Sequence, residues 1–169
     1  MQLNRTAFVN HALICTLGLT GLAMSGSAAA FALDSFMKID GIQGESIDKQ
    51  HPGEIELTSY SQSFGARNCS RVVVNKSLDR SSPALISRAA ANTWIPEVVI
   101  SLRKAGPALQ DFYTATLDSV LIERIDLADQ NNTLTEQIVL RPRSIRIEYR
   151  PQDDKGELLP PIVSTIACN

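Results

Sequence analysis

The sequence predicts a mainly β protein: a closed or nearly closed β-barrel of two packed antiparallel sheets, with one short flanking α-helix near residues 83–91. Three observations carry that expectation. Apolar side chains recur at every second residue through much of the chain beyond residue 32, turn formers separate these runs, and a single segment repeats its apolar positions at helical spacing.

The residues before that domain read as a leader. Arg5 is the only charged side chain before Asp34, and residues 12–24 are apolar except for Thr16, Gly18, Thr20 and Gly21. Ser25-Gly26-Ser27 breaks the apolar stretch, and Ala30-Phe31-Ala32 supplies small residues at the two positions a signal peptidase inspects. The apolar stretch is shorter than the roughly 20 residues a spanning helix needs. Residues 1–32 are therefore expected to be a cleaved signal peptide and residues 33–169 the domain, periplasmic or secreted, with no membrane span after cleavage. Cys15 follows bulky Ile14 inside the apolar stretch, which does not fit a lipoprotein signal, and it leaves with the leader.

In chain order, Met37 and Ile39 share one strand face and Ile55 with Leu57 another. Ser82 as N-cap, Pro83 at the first helical position, and Leu85, Ile86, Ala89 and Ala90 at helical spacing predict the helix. Val98, Ile100 and Leu102 alternate again. Between residues 112 and 127 the apolar phase shifts after Leu117, first to Val120 and Ile122 and then to Ile125 and Leu127, so a bulge or bend is expected near Asp118-Ser119. Ile138 and Leu140, then Ile145, Ile147 and Tyr149, form the last long runs, with Pro142 between them expected to mark an edge or a bulge. Pro160-Pro161 favours an extended entry into a terminal strand over residues 162–168.

Charge and cysteine usage narrow the function. The whole chain carries 16 Lys and Arg against 18 Asp and Glu, and losing Arg5 with the leader moves the net charge from −2 to −3. Apart from Arg141, Arg143 and Arg146 the basic residues alternate with acidic ones, so no phosphate-tracking groove is laid out and nucleic acid is not an expected partner. Cys69 and Cys168 remain after processing, and an oxidising compartment permits a disulfide between them; two unpaired buried thiols are the alternative. A bridge closing a loop of ~100 residues contributes up to about 4.7 kcal/mol in the chain-entropy model.

No residue pattern points to catalysis, a cofactor or a metal. His51 is the only histidine outside the leader, and beside Pro52-Gly53 it reads as a turn residue bonding locally rather than a catalytic base, since no nucleophile elbow accompanies it. Asp40, Glu45 and Asp48 fall within one loop, but their spacing differs from a calcium-binding EF-hand, and Gly41, Gly44 and Ser46 are turn chemistry. Glu54 with Glu56, and Asp126 with Asp129, read as solvated faces. The acceptor triplets at Asn68, Asn75 and Asn131 are short enough to arise by chance and carry no weight.

Phe36-Met37-Lys38-Ile39-Asp40-Gly41-Ile42-Gln43-Gly44-Glu45-Ser46, then Asp48, His51 and Gly53-Glu54-Ile55, resemble the opening of the haemolysin-coregulated (Hcp) tube proteins of the type VI secretion system. Val74-Asn75-Lys76-Ser77-Leu78-Asp79, Ser82-Pro83-Ala84-Leu85, Val98-Val99-Ile100, Lys104-Ala105-Gly106, Tyr113, Leu117, Val120, Glu136, Val139, Leu140 and Ile145-Arg146-Ile147-Glu148-Tyr149 continue the resemblance in order. It implies a barrel of two sheets with one flanking helix, a homo-oligomer closing as a hexameric ring, a structural rather than catalytic role, and type VI secretion components or effectors as partners. Two departures stand out: the leader, which tube subunits of this family lack, and a short connection at residues 64–71 where the family has a longer extension that touches the next ring. Isolated hexamers and few long tubes are therefore expected. Val72 and Val74, and Ile162 and Ile166, are candidate ring contacts as well as candidate core. The alternative from another class is an exported binding module that keeps the barrel without forming a tube.

Overall fold

The computed structural model describes residues 33–65, 68–104, 110–130 and 132–168, without the side chains of residues 68–70 and 130. The leader, with His11 and Cys15, lies outside these residues, as do Ala105 and Gly106 of the family-like stretch and Asn131 of the third acceptor triplet. Eight strands and one helix follow in the order β1 (Leu33–Ile39), β2 (Ile55–Leu57), β3 (Ser59–Gly65), β4 (Asn68–Ser77), α1 (Ser82–Ala90), β5 (Ile95–Lys104), β6 (Asp111–Gln130), β7 (Thr133–Tyr149) and β8 (Ile162–Ala167).

All strand pairs are antiparallel, and they run as one hydrogen-bonded path, β2-β1-β5-β6-β7-β4-β3, with β8 added to β7. The two ends of that path, β2 and β3, are consecutive in sequence with only Thr58 between them, and the Thr58 amide donates to the Asn75 carbonyl of β4 at 2.8 Å. A sheet whose first and last strands are joined by one residue must curl back on itself. Tyr60 of β3 reaches Tyr113 of β6, hydroxyl to hydroxyl at 3.1 Å, although those strands are not neighbours in the path. Burial pushes the Tyr60 phenol well above its ordinary pKa, and the Tyr113 hydroxyl adds to the effect.

The two expected sheets are thus the two halves of one curled sheet, and the β6–β7 hairpin joins them. β5 pairs with β6 over residues 111–120, β4 pairs with β7 over residues 135–140, and the hairpin continues through both regions. Its bend lies where the apolar phase shifts: Ser119 takes a φ of 47°, and the register slips between Ile122 and Arg124. The slip turns the next apolar set and lets the inward faces of both halves meet.

Inside lie Met37, Ile39, Ile55, Val72, Val74, Val98, Ile100, Leu117, Val120, Ile138, Leu140 and Ile145, all within the buried core. Each large aliphatic removed from water contributes about 1.5–3 kcal/mol. Val72 and Val74 are core, which settles one of the two candidate ring contacts.

The helix covers one side of this core through Leu85, which is fully buried, with Ala89 partly so, while Ile86 faces outward. The cap differs from expectation. Ser81, not Ser82, takes the N-cap position, and Ser82 opens the helix itself. The Ser82 hydroxyl is engaged elsewhere: it donates to Glu136 Oε2 at 2.8 Å and accepts from Lys76 Nζ at 2.9 Å. Pro142, expected at an edge or bulge, sits within β7 opposite Val120. On the other side of β7 it falls in the gap between β4, which ends its pairing at Leu140, and β8, which begins at Ser144.

Candidate functional site

Two polar centres and the exposed strand β8 stand out among the described residues. The first centre lies on the outer face of β1 and β5. Phe36 and Ser101 are cross-strand partners on the face opposite Met37, and both are buried beneath the loop at residues 40–54. Gly44 makes that coverage possible: a β-carbon there would lie 2.3 Å from the Glu54 carbonyl oxygen. The loop closes on itself through Gly44 N to Gly53 O at 2.8 Å, Gly53 N to Ser46 O at 2.8 Å and Ser46 N to Glu54 O at 3.1 Å.

His51 belongs to this cover. Its ring stacks on Phe36 at 4.2 Å and 10°, Nδ1 lies 2.9 Å from Glu54 Oε2, and Nε2 lies 3.2 Å from Asp111 Oδ1. Both ring nitrogens face carboxylates, which leaves neither for a nucleophile's proton. The local reading of His51 holds for Glu54, but Asp111 arrives from β6, a partner the turn alone did not show. Glu56 is exposed on its own, and Asp126 bonds Arg124, so neither expected-solvated carboxylate pair converges.

Arg103 fixes the other end of the loop. Its guanidinium bonds Asp48 twice, Nη1 to Oδ1 at 3.0 Å and Nη2 to Oδ2 at 2.5 Å, reaches Asp34 Oδ2 at 3.2 Å, and lies 4.9 Å from the Phe36 ring centre. The Arg103 hydrogen bonds hold the Asp48 carboxyl far below the usual carboxylate range, and Asp48 in turn raises Arg103. Glu45 pairs instead with Arg80 at 3.8 Å. Of the four carboxylates in residues 40–54, Asp48 and Glu45 are therefore committed to separate cations and Glu54 to His51. Among the described residues no group of three or more His, Cys, Asp or Glu is arranged to hold a metal.

The second centre was missed in the sequence. Lys76 and Glu136 are direct cross-strand partners in β4 and β7, both fully buried, 2.5 Å apart. Lys76 Nζ also donates to Ser77 O and Ser82 Oγ at 2.9 Å each and pairs with Asp79 at 2.9 Å. Burial works to raise the Asp79 carboxyl, but Lys76 and the Ser81 hydroxyl outweigh it and hold it below the ordinary value. Glu136 Oε1 is buried with no hydrogen-bond partner among the described residues. The centre ties β4, β7 and the start of α1 to one another.

Because Asp48 and Asp79 both bind protons more weakly in the fold than in the unfolded chain, they stabilise the fold above their ordinary pKa of 3.8. That contribution fades as pH falls below about 4 toward the depressed folded values. Urea midpoints should hold level from neutral pH down to about 4 and then drop, with a shallower drop in Asp48→Asn.

The open edge is β8. Among the described residues its one strand partner is β7; it carries no charged residue and exposes Ile162 at 64% and Val163 at 45%. Tyr149 opposite Ile162 is also exposed. Of the two candidate ring contacts, this one remains on the surface. Among the described residues no helix is long and apolar enough to cross a membrane.

Comparison with known proteins places this geometry. Residues 36–149 match the family described as "Type VI secretion system effector, Hcp". Protein hcp1 of Pseudomonas aeruginosa is 28% identical over 142 residues, covering 74% of this chain and 88% of that protein. The crystal structure of Hcp1 from Salmonella typhimurium superposes with a TM-score of 0.72 at 27% identity, covering 80% of this chain and 94% of that one. A type VI secretion system effector from Yersinia pestis gives 0.71 at 27% identity, covering 79% and 99%.

Proposed function

The chain belongs to the Hcp family of type VI secretion proteins, and from that premise we propose that it is an exported, non-catalytic structural subunit that closes into a hexameric ring. The observation that carries this reading is the family match over residues 36–149, which runs from within β1 to the end of β7. The uncharged, apolar outer edge of β8 supports it further, because such an edge in a soluble protein calls for a covering partner, and a ring supplies one from the neighbouring copy. The engagement of both His51 nitrogens by carboxylates supports a non-catalytic role. Export rests on the leader.

The partners of such a ring are further copies of this chain and, through them, type VI secretion components or effectors. Residues 64–71, expected to be a connection, belong mostly to strands, since β3 runs to Gly65 and β4 starts at Asn68; so short a link favours weak stacking between rings, and it also favours the second reading, an exported binding module without a tube. Intact-mass analysis of the exported protein is expected to show a chain beginning at Leu33; a chain beginning at Met1 would remove the export claim. Negative-stain images are expected to show single rings with few long tubes.

A further inference from the structure

β8 is weakly buried for a strand that closes a fold. Of its six residues only Ile166 is half-buried, and the others are exposed. It shares one edge of β7 with β4, since β6 occupies the opposite edge along the whole length: β4 takes residues 135–140 and β8 takes residues 144–149. Between the two ladders, residues 141–143 of β7 form a gap. The Cys168 amide donates to the Arg143 carbonyl at 2.7 Å, and β4 continues from Val72, opposite Leu140, past a register shift to Cys69, which lies opposite Phe64 of β3. Cys168 is disulfide-bonded, and Cys69 is the only other cysteine outside the leader.

We propose that Cys168 is bonded to Cys69 and that this bond is a redox-operated clip holding β8 on the barrel. A six-residue edge strand with no buried apolar side chain gains little from docking and loses its backbone freedom on ordering. Its N-terminal end is tethered by the chain at residues 150–161, and the disulfide tethers the other end beside the seam it must occupy. Reduction by a dithiol transfers two electrons and two protons to the S–S bond, which breaks to two thiols while the reductant closes to its own disulfide. Released, β8 leaves residues 144–149 of β7 as an open edge. The inference stands on the ladders and the cysteines, independently of the ring, and its test reads the strand rather than the assembly.

Peptide mapping of the oxidised mature protein without reductant is expected to recover one cross-linked peptide containing Cys69 and Cys168. Hydrogen exchange is then followed for the amides of β8 and, as a reference, those at Ile100 and Leu117. Reducing the wild-type protein with a dithiol, or substituting Cys168→Ser, is expected to speed β8 exchange at least tenfold and leave the reference amides unchanged. Two free thiols, or a bridge from Cys168 to a second copy of the chain, would overturn the pairing. Equal β8 exchange in both states, or equal acceleration of the reference amides, would overturn the clip; the reductant arm reads this even where Cys168→Ser fails to accumulate.

Discussion

Lys76→Ala is expected to destabilise the fold by about 3–5 kcal/mol, because it strands the buried Glu136 carboxylate without its cation. For a domain whose total stability is about 5–15 kcal/mol, this is the largest single-residue effect anticipated here. The ammonium donates to Ser77, Ser82 and Glu136 and forms an ion pair with Asp79, so its loss also frees the turn that launches α1. Glu136 already carries one unpartnered oxygen and has no route to water from full burial. The double variant Lys76→Met with Glu136→Leu fills similar volume without charge and is expected to recover most or all of the loss. Denaturant midpoints of the single and double variants decide it: a single-variant loss below about 1 kcal/mol would show that water enters the centre.

Ile162→Asp is expected to dissolve the ring while leaving the barrel intact. Ile162 is 64% exposed in the free subunit, so the substitution removes little folding energy. In a closed ring it places one extra carboxylate in every copy of the same interface, where an unpaired charge at a desolvated apolar edge costs several kcal/mol. At least a tenfold loss of association per contact follows, about 1.4 kcal/mol or more. Unchanged circular dichroism with a protomer mass is the expected outcome. An undisturbed ring would mean that another surface makes the contact.

Much of this fold was legible from side-chain period. The alternation of Met37 with Ile39, and of Val98 with Ile100, placed β1 and β5 on their inner faces, and the phase shift after Leu117 located the bend that Ser119 makes with its positive φ. Lys76 and Glu136 were legible in principle, since each falls in the inward phase of its strand, with Val72 and Val74 on one side and Ile138 and Leu140 on the other. A cation and an anion in buried phases of different strands is a signal, but only the β4–β7 register shows that they meet. The same long-range blindness hid Asp111 from His51 and the β4–β8 seam from Pro142. Ser82 was misassigned as a cap because local propensity could not reveal that the buried centre claims its hydroxyl.

The central claim is that this barrel is a ring-forming Hcp subunit. Light scattering coupled to size-exclusion chromatography, on the mature protein across micromolar concentrations, tests it most directly. A mass of six protomers is predicted; a protomer mass throughout the range would contradict the ring and favour the binding module.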